Sequence, residues 1–282
     1  MMMQRRTALT ALGATAVAGA TARAAEPKYL GGKLMFMVRR TYAEGKDIAA
    51  LRTPAEPAHQ QHLLKFGQTV IASAILGPGG TRIGSVSISD INTRAEIESY
   101  VYDDPFTKAG IYGSITITPV DLYKVDGSYN RAPAWFAPEL QRRQQAAGYD
   151  VPVLPTGNRP AKPMYLVRRT YIAEADFNRR RAAAEQAHRD YLLANSITVI
   201  SAAVLDDAGM RVGDIAVCDI DDRAAAERYV RADPFATAGM FAALAFEQVD
   251  LYKLDGSYNR APGWFADEMK RRQDARATPA KG

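Results

Sequence analysis

Residues 35–144 and 164–273 align without a gap at an offset of 129, and 54 of the 110 paired positions are identical. Whatever fold one half adopts, the other half must adopt too. VRRTY recurs at Val38–Tyr42 and Val167–Tyr171, and Asp-Pro-Phe recurs at Asp104–Phe106 and Asp233–Phe235. The longest shared block runs over Asp121–Ala137 and Asp250–Ala266. Two units are too few for a solenoid, which needs about three or more repeats to build a core. Two copies of a compact domain point instead to an internal pseudo-dimer, one chain doing the work of a homodimer. Between them, residues 145–162 hold Pro152, Pro155, Pro160, Gly148 and Gly157 and read as a linker. Residues 274–282 read as a disordered tail.

The first 24 residues stand apart from this duplication. They contain no acidic residue, and Arg5-Arg6 precede a mildly apolar stretch over Thr7–Ala20. Ala22-Arg23-Ala24 fits a small-residue cleavage site. The arrangement resembles a twin-arginine export signal, and the apolar stretch is too short for the ~20 residues of a membrane-spanning helix. A periplasmic protein, cleaved near Ala24, is the expectation, with no membrane contact after cleavage. The whole chain carries a net charge of +5, but without the signal 33 basic residues face 31 acidic ones. That near-neutral balance does not support a nucleic-acid partner. The single cysteine, Cys218, excludes an internal disulfide framework and a Cys-rich metal centre, and three histidines argue against a His-rich cage. A hydrophobic share of 47% with 24% charged residues is that of a globular protein.

Each unit alternates strand and helix signals. Leu34–Thr41 reads as a strand and Ile48–Phe66 as a helix whose start Pro54 and Pro57 could delay. Thr69–Leu76 and Ile83–Ile91 read as strands around a Pro78-Gly79-Gly80 turn. Thr93 with Glu96 three residues on is a capping box ahead of a helix to Tyr102, and Ile115–Val120 closes the unit as a strand. The second unit repeats this over Met164–Thr170, Arg179–Ala194, Thr198–Leu205, Val212–Ile220, Arg223–Arg231 and Leu244–Val249. The order β-α-β-β-α-β is the ferredoxin-like arrangement, so the fold class is α+β. Two such sheets could pack face to face and enclose a cleft.

The spacing also resembles the YCII-related (YciI-like) domain. The resemblance rests on Ala58-His59 with Leu63, Gly84-Ser85, and Asp104-Pro105-Phe106 with Ala109-Gly110. Their counterparts are Ala187-His188 with Leu192, Gly213-Asp214, and Asp233-Pro234-Phe235 with Ala238-Gly239. It implies tandem YCII-like domains over 34–144 and 163–273 that form a dimeric α+β barrel-like pseudo-dimer. It also implies a His and an Asp as active-site groups, and one branch of the family resembles dehydrochlorinases of chlorinated aromatics. The shared Asp121–Ala137 and Asp250–Ala266 blocks lie outside the family core. Gly77-Pro78 in the first unit is replaced by Asp206-Asp207 in the second, so the two clefts need not be equivalent.

His59 and His188 are the histidines at repeated positions, and imidazole is the side chain that titrates near neutrality. Glu56 and Glu185 lie three residues earlier and Arg52 and Arg181 seven earlier, so all share one helix face. A base supported by Glu56 or Glu185 is one reading; a solvated Arg–Glu–His ladder is the other. Asp104 and Asp233 are either the carboxylate partners that the resemblance implies or helix-terminating Asp-Pro turns. Of Arg39-Arg40 and Arg168-Arg169, one in each pair should face the cleft and clamp an anionic ligand, unless these charges only guard a strand edge. Arg82 and Arg211, beside the hairpins, are read as surface residues. Tyr129, Trp135, Tyr258 and Trp264 should pack the units together or cap a cleft. No metal is expected, since His62 is replaced by Tyr191 in the second unit. No cofactor is expected either: the chain lacks a Gly-rich phosphate loop. The expected function is a lyase- or isomerase-type enzyme on a small anionic or aromatic molecule, through a His/Asp pair. The alternative is a non-catalytic periplasmic binding or interaction module.

Overall fold

The computed structural model describes residues 34–66, 69–125, 128–129, 163–195, 197–254 and 257–258. The expected signal, linker and tail lie outside these residues, as do Trp135, Trp264 and the Asp-Gly pairs at 126–127 and 255–256.

The first unit runs β1 (Leu34–Tyr42), α1 (Ile48–Phe66), β2 (Thr69–Leu76), β3 (Arg82–Ser89), α2 (Arg94–Tyr102), α3 (Pro105–Lys108), β4 (Tyr112–Val125) and β5 (Ser128–Tyr129). The second runs β6 (Pro163–Tyr171), α4 (Phe177–Asn195), β7 (Thr198–Leu205), β8 (Arg211–Cys218), α5 (Arg223–Ala232), α6 (Pro234–Thr237), β9 (Phe241–Leu254) and β10 (Ser257–Tyr258). Thr93 caps α2 as a capping box requires: its hydroxyl accepts from the Glu96 N–H at 3.3 Å and donates to the Glu96 carboxylate at 2.8 Å. Helix α1 does not wait for its prolines; Pro54 and Pro57 both lie inside it. Each removes an i to i−4 bond, and the 19-residue helix spans both positions all the same.

All strand pairings are antiparallel, and the two units join edge to edge rather than face to face. Around the ring the order is β1-β3-β2-β9-β6-β8-β7-β4, and β4 returns to β1. This is an eight-stranded closed barrel, with β5 and β10 pairing at its seams. The seams are made by β4 and β9, both 14 residues long. The first part of β4 pairs with β1 of its own unit, from Tyr112 to Asp121, and its end pairs with β7 of the other, from Val120 to Val125. Strand β9 does the same between β6 and β2. The start of the block that lies outside the family core is therefore the suture between the units. It closes both sheet edges, which would otherwise present unpaired backbone groups.

Strand alternation then decides what each side chain sees. One face of every strand fills the barrel: Met35, Met37, Ile71, Ile75, Val86, Ile88, Val120 and Leu122 meet Met164, Leu166, Ile200, Val204, Ile215, Val217, Val249 and Leu251 in one core. The expected cleft between facing sheets is thus occupied by packed side chains. The other face carries the helices. Phe36 and Val38 pack beneath Ile97, Tyr100 and Val101 of α2, and Tyr165 and Val167 beneath Ala226 and Val230 of α5. Cys218 is buried in this second layer, where its sulfur packs as a small apolar group.

Candidate functional site

The arginine pairs show why the site lies outside the barrel. Odd-numbered residues of β1 point inward, so Arg39 follows Met35 and Met37 to the barrel side. There it donates to Glu247 of the other unit through Nε at 2.9 Å and Nη2 at 2.5 Å. That bond holds the Arg39 guanidinium pKa above its ordinary value, against the opposing effect of burial. Arg168 takes the matching place in β6 and is exposed. Arg40 and Arg169 instead follow Phe36–Val38 and Tyr165–Val167 to the helix side, 5% and 6% exposed. Of the four arginines read as ligand-binding, these two join the repeated His and Asp.

Asp104 and Asp233 follow the second helix of each unit and cap the short helix that comes next, and both are 1% exposed. Asp104 Oδ1 accepts from the Phe106 N–H at 2.9 Å and bonds His59 Nδ1 at 2.8 Å. Asp233 Oδ1 accepts from the Phe235 N–H at 2.9 Å and bonds His188 Nδ1 at 2.7 Å. One carboxylate oxygen thus caps a helix and holds an imidazole. The His ring lies flat on the phenylalanine of the same motif, with centroids 3.8 Å apart for His59–Phe106 and 3.9 Å for His188–Phe235. Packing beneath and a carboxylate at the edge fix the ring's orientation. Among the described residues neither Nε2 has a partner, and the two imidazoles remain 15% and 14% exposed.

Burial pushes both aspartates toward the neutral form, yet both pKa values fall below the ordinary carboxylate value. For Asp104 the His59 bond and charge, the Phe106 N–H and the Arg40 charge outweigh burial. For Asp233 the His188 bond and charge, the Arg169 charge and the Phe235 N–H do so. Arg169 Nη1 stands 3.4 Å from Asp233 Oδ2. Both carboxylates are therefore ionised at neutral pH. With an ionised acceptor at Nδ1, a neutral imidazole keeps its proton on Nδ1 and leaves the Nε2 lone pair unprotonated.

Glu56 and Glu185 do not hold the imidazoles. Glu56 bonds Arg52 at 3.0 Å and Gln60 at 3.5 Å, and Glu185 pairs with Arg181 at 3.7 Å. Three residues of separation along one helix places Glu56 beside His59, but the ring is turned toward Asp104 across the helix–strand layer. Arg52 in turn lies over the Phe106 ring at 5.2 Å, so Glu56 supports the site through two intermediates. His62 bonds the Tyr100 carbonyl at 2.7 Å, and Tyr191 does the same to Tyr229 at 2.7 Å. The non-identical pair thus shares one structural task, tying the long helix to its neighbour.

Arg211 is not a surface residue. It is buried, stands 3.8 Å from Asp214 and lies over the Tyr171 ring at 5.2 Å. Its charge is accommodated because Asp214 is its neighbour along β8. Residue-by-residue reading passes over Asp214, Ser85, Tyr171, Phe106 and Phe235 as site residues. All five lie inside or beside the repeated VRRTY, Gly-Ser/Gly-Asp and Asp-Pro-Phe motifs, which is the signal that could have found them.

Residues 164–249 match the YCII-related domain. This match covers the second unit from β6 into β9, with His188, Asp233, Arg169 and Asp214 all inside it. The first unit carries the same His, Asp and Arg at the 129-residue offset. No curated protein matches the chain. Among solved structures, the 5-chloro-2-hydroxyhydroquinone dehydrochlorinase of Burkholderia phenoliruptrix AC1100, in complex with 2,5-dihydroxybenzoquinone, is 28% identical. It covers 29% of this chain and 89% of its own, with a TM-score of 0.27. Chlorite dismutase from Candidatus Nitrospira defluvii, in complex with imidazole, is 11% identical over 86% of this chain and 95% of its own, with a TM-score of 0.49. A heme-binding protein from Thermus thermophilus is 9% identical over 78% and 91%, with a TM-score of 0.45.

Proposed function

We propose that the protein is an exported small-molecule enzyme of lyase or isomerase type, with His59 and His188 as proton carriers. The observation that supports this most is the repeated Asp–His pair, whose Nε2 has no partner among the described residues. The ring is held at Nδ1 by a buried, ionised carboxylate and from below by a phenylalanine, and the imidazoles keep 15% and 14% of their surface exposed. In such a pair Nε2 takes a proton from the substrate, and Asp104 or Asp233 stabilises the imidazolium that forms. The electron pair left on the substrate either expels a leaving group, the proton then passing from Nε2–H to the leaving group or solvent, or shifts a double bond, the proton then returning from Nε2–H to the new position. Neither route has a net change of oxidation level, so this reaction class consumes no external oxidant or reductant. Arg40, beside Asp104, suits an anionic substrate, and the Phe106 and Phe235 rings suit an aromatic one. Export to the periplasm is part of the same proposal and rests on the Arg5-Arg6 segment; among the described residues no helix is long and apolar enough to cross a membrane.

The test is chloride release from chlorinated hydroquinones by the mature chain, compared with the His59→Ala/His188→Ala double variant. Loss of general base catalysis should lower the rate at least about 100-fold. A double variant that retains full turnover would overturn the assignment.

A further inference from the structure

The same three donors recur in both units at the 129-residue offset, and among the described residues a carboxylate of β8 sits between them in the second unit. In the second unit, Asp214 of β8 sits among Arg169, Arg211 and Tyr171. Its Oδ1 accepts from Arg169 Nε, its Oδ2 accepts from the Tyr171 hydroxyl at 2.7 Å, and Arg211 Nη2 lies 3.8 Å away. All four residues are at most 6% exposed. The first unit has the same three donors at the 129-residue offset: Arg40, Arg82 and Tyr42. The backbone is also matched, because Arg82 Nε reaches the Gly84 carbonyl at 3.3 Å as Arg211 Nε reaches that of Gly213 at 3.5 Å. Ser85 stands where Asp214 would be, so the carboxylate is missing.

The consequence is visible at one atom. Arg40 Nε, the counterpart of the Arg169 nitrogen that donates to Asp214, is buried without a hydrogen-bond partner among the described residues. The Arg40 guanidinium donates through Nη1 to Ser87 Oγ at 3.1 Å and lies 5.7 Å from the Tyr112 ring centroid. Ser87 and Tyr112 are themselves Ala216 and Phe241 in the second unit, so the first unit is the more polar of the two here. A buried guanidinium nitrogen with no acceptor is costly and rare in folded proteins. Tyr42 and Tyr112 stack at 6.2 Å and are only partly buried, which leaves the rim of this cage reachable from solvent.

We infer that the first unit is a carboxylate-binding site, in which the ligand's carboxylate takes the place that Asp214 occupies in the second unit, and that the second unit is closed to such ligands by Asp214 itself. This deepens the proposed function, resting on its placement of a ligand against Arg40 but not on proton transfer by His59. Asymmetry of this kind would leave one ligand per chain in a molecule with two nearly identical halves.

Acetate is the smallest probe of the cage. Thermal unfolding of the mature chain is followed over an acetate series, with sodium chloride at matched ionic strength as reference, in the wild type, Ser85→Asp and Asp214→Ser. At acetate near 100 times its Kd, the wild type should gain about 5 °C over chloride. Ser85→Asp should melt at or above the wild-type temperature without acetate and show no acetate response, since the new carboxylate fills the cage. Asp214→Ser should melt lower and respond more strongly than the wild type, having two open cages. A wild type that responds to acetate no more than to chloride overturns the inference, as does a Ser85→Asp variant that responds like the wild type. If acetate binding fails while chloride release from chlorinated hydroquinones still depends on His59 and His188, the carboxylate site falls and the proton-transfer reading stands. If acetate behaves as described and the histidine variants keep full turnover, the reverse holds.

Discussion

Asp233→Ala should destabilise the fold by about 3–5 kcal/mol, the usual cost of removing one partner from a buried charge network. This carboxylate accepts from the Phe235 N–H that opens α6, holds His188, and lies beside Arg169. Alanine leaves the cap open and the imidazole without its anchor, while Arg169 loses one of its two carboxylate neighbours and keeps Asp214. A loss of this size lowers the melting temperature by about 6–20 °C in a chain of this length. The pH dependence gives a second readout. Because the folded-state pKa of Asp233 is depressed, its contribution is fully present above the unfolded value of about 3.9. It is lost as the pH falls below about 3.9 through the lower folded value. Asp104 behaves in the same way. Wild-type stability should therefore fall as the pH drops below about 4, and Asp233→Ala should show a shallower fall there. Denaturant midpoints across the pH series check both statements; equal slopes in the two proteins would show that Asp233 is not held ionised by its neighbours.

Gly84→Ala should be comparably severe, at the upper end of overpacking costs, about 3 kcal/mol. The Cβ of alanine would be driven against the Arg40 carbonyl oxygen and would lie 3.0 Å from Thr41 Cα. Both obstacles are backbone atoms of the neighbouring strand, in register with β3 at Thr41↔Gly84, so neither can turn aside. Strand β1 must shift, and Arg40 shifts with it. Gly213 abuts the Arg169 carbonyl in the same way. The glycines of the Gly-Ser and Gly-Asp motifs therefore let β3 and β8 approach closely at the residue that carries each site's arginine. The expected result is a large drop in the unfolding midpoint together with loss of the acetate response. A Gly84→Ala variant with wild-type stability would contradict the close approach.

Much of this architecture is legible in the amino-acid sequence. The ungapped repeat requires two equivalent units, and the β-α-β-β-α-β order of each follows from apolar periodicity, Thr93 and the turn residues. Helix α1 over Ile48–Phe66 and strands β2 and β7 have the expected bounds. What periodicity does not convey is closure. Residues 121–125 and 250–254 read as part of an extension, and only pairing with the other unit shows them as strand ends. Such pairing is long-range, and hydrophobic alternation in Val120–Leu122 looks the same at a sheet edge as at a seam. Within the site, strand alternation correctly divides Arg40 from Arg39, but the partner of His59 is harder to choose. Glu56 is close in sequence and Asp104 distant; a helix orients its side chains toward the sheet it covers, and there the carboxylate on offer is Asp104. The burial of Arg211 escapes reading because it depends on Asp214, three residues further along the same strand, a carboxylate the first unit lacks.

Proton carriage by His59 and His188 depends on the tautomer of the two imidazoles, and the most direct measurement is the 15N NMR spectrum of the histidine side chains in the folded protein at alkaline pH. Holding Nδ1–H against Asp104 and Asp233 predicts the Nδ1-protonated tautomer for His59 and His188, with Nε2 unprotonated and free to accept a proton. The Nε2-protonated tautomer at both positions would mean that neither aspartate holds its imidazole, and would contradict the proton-carrier role assigned to them.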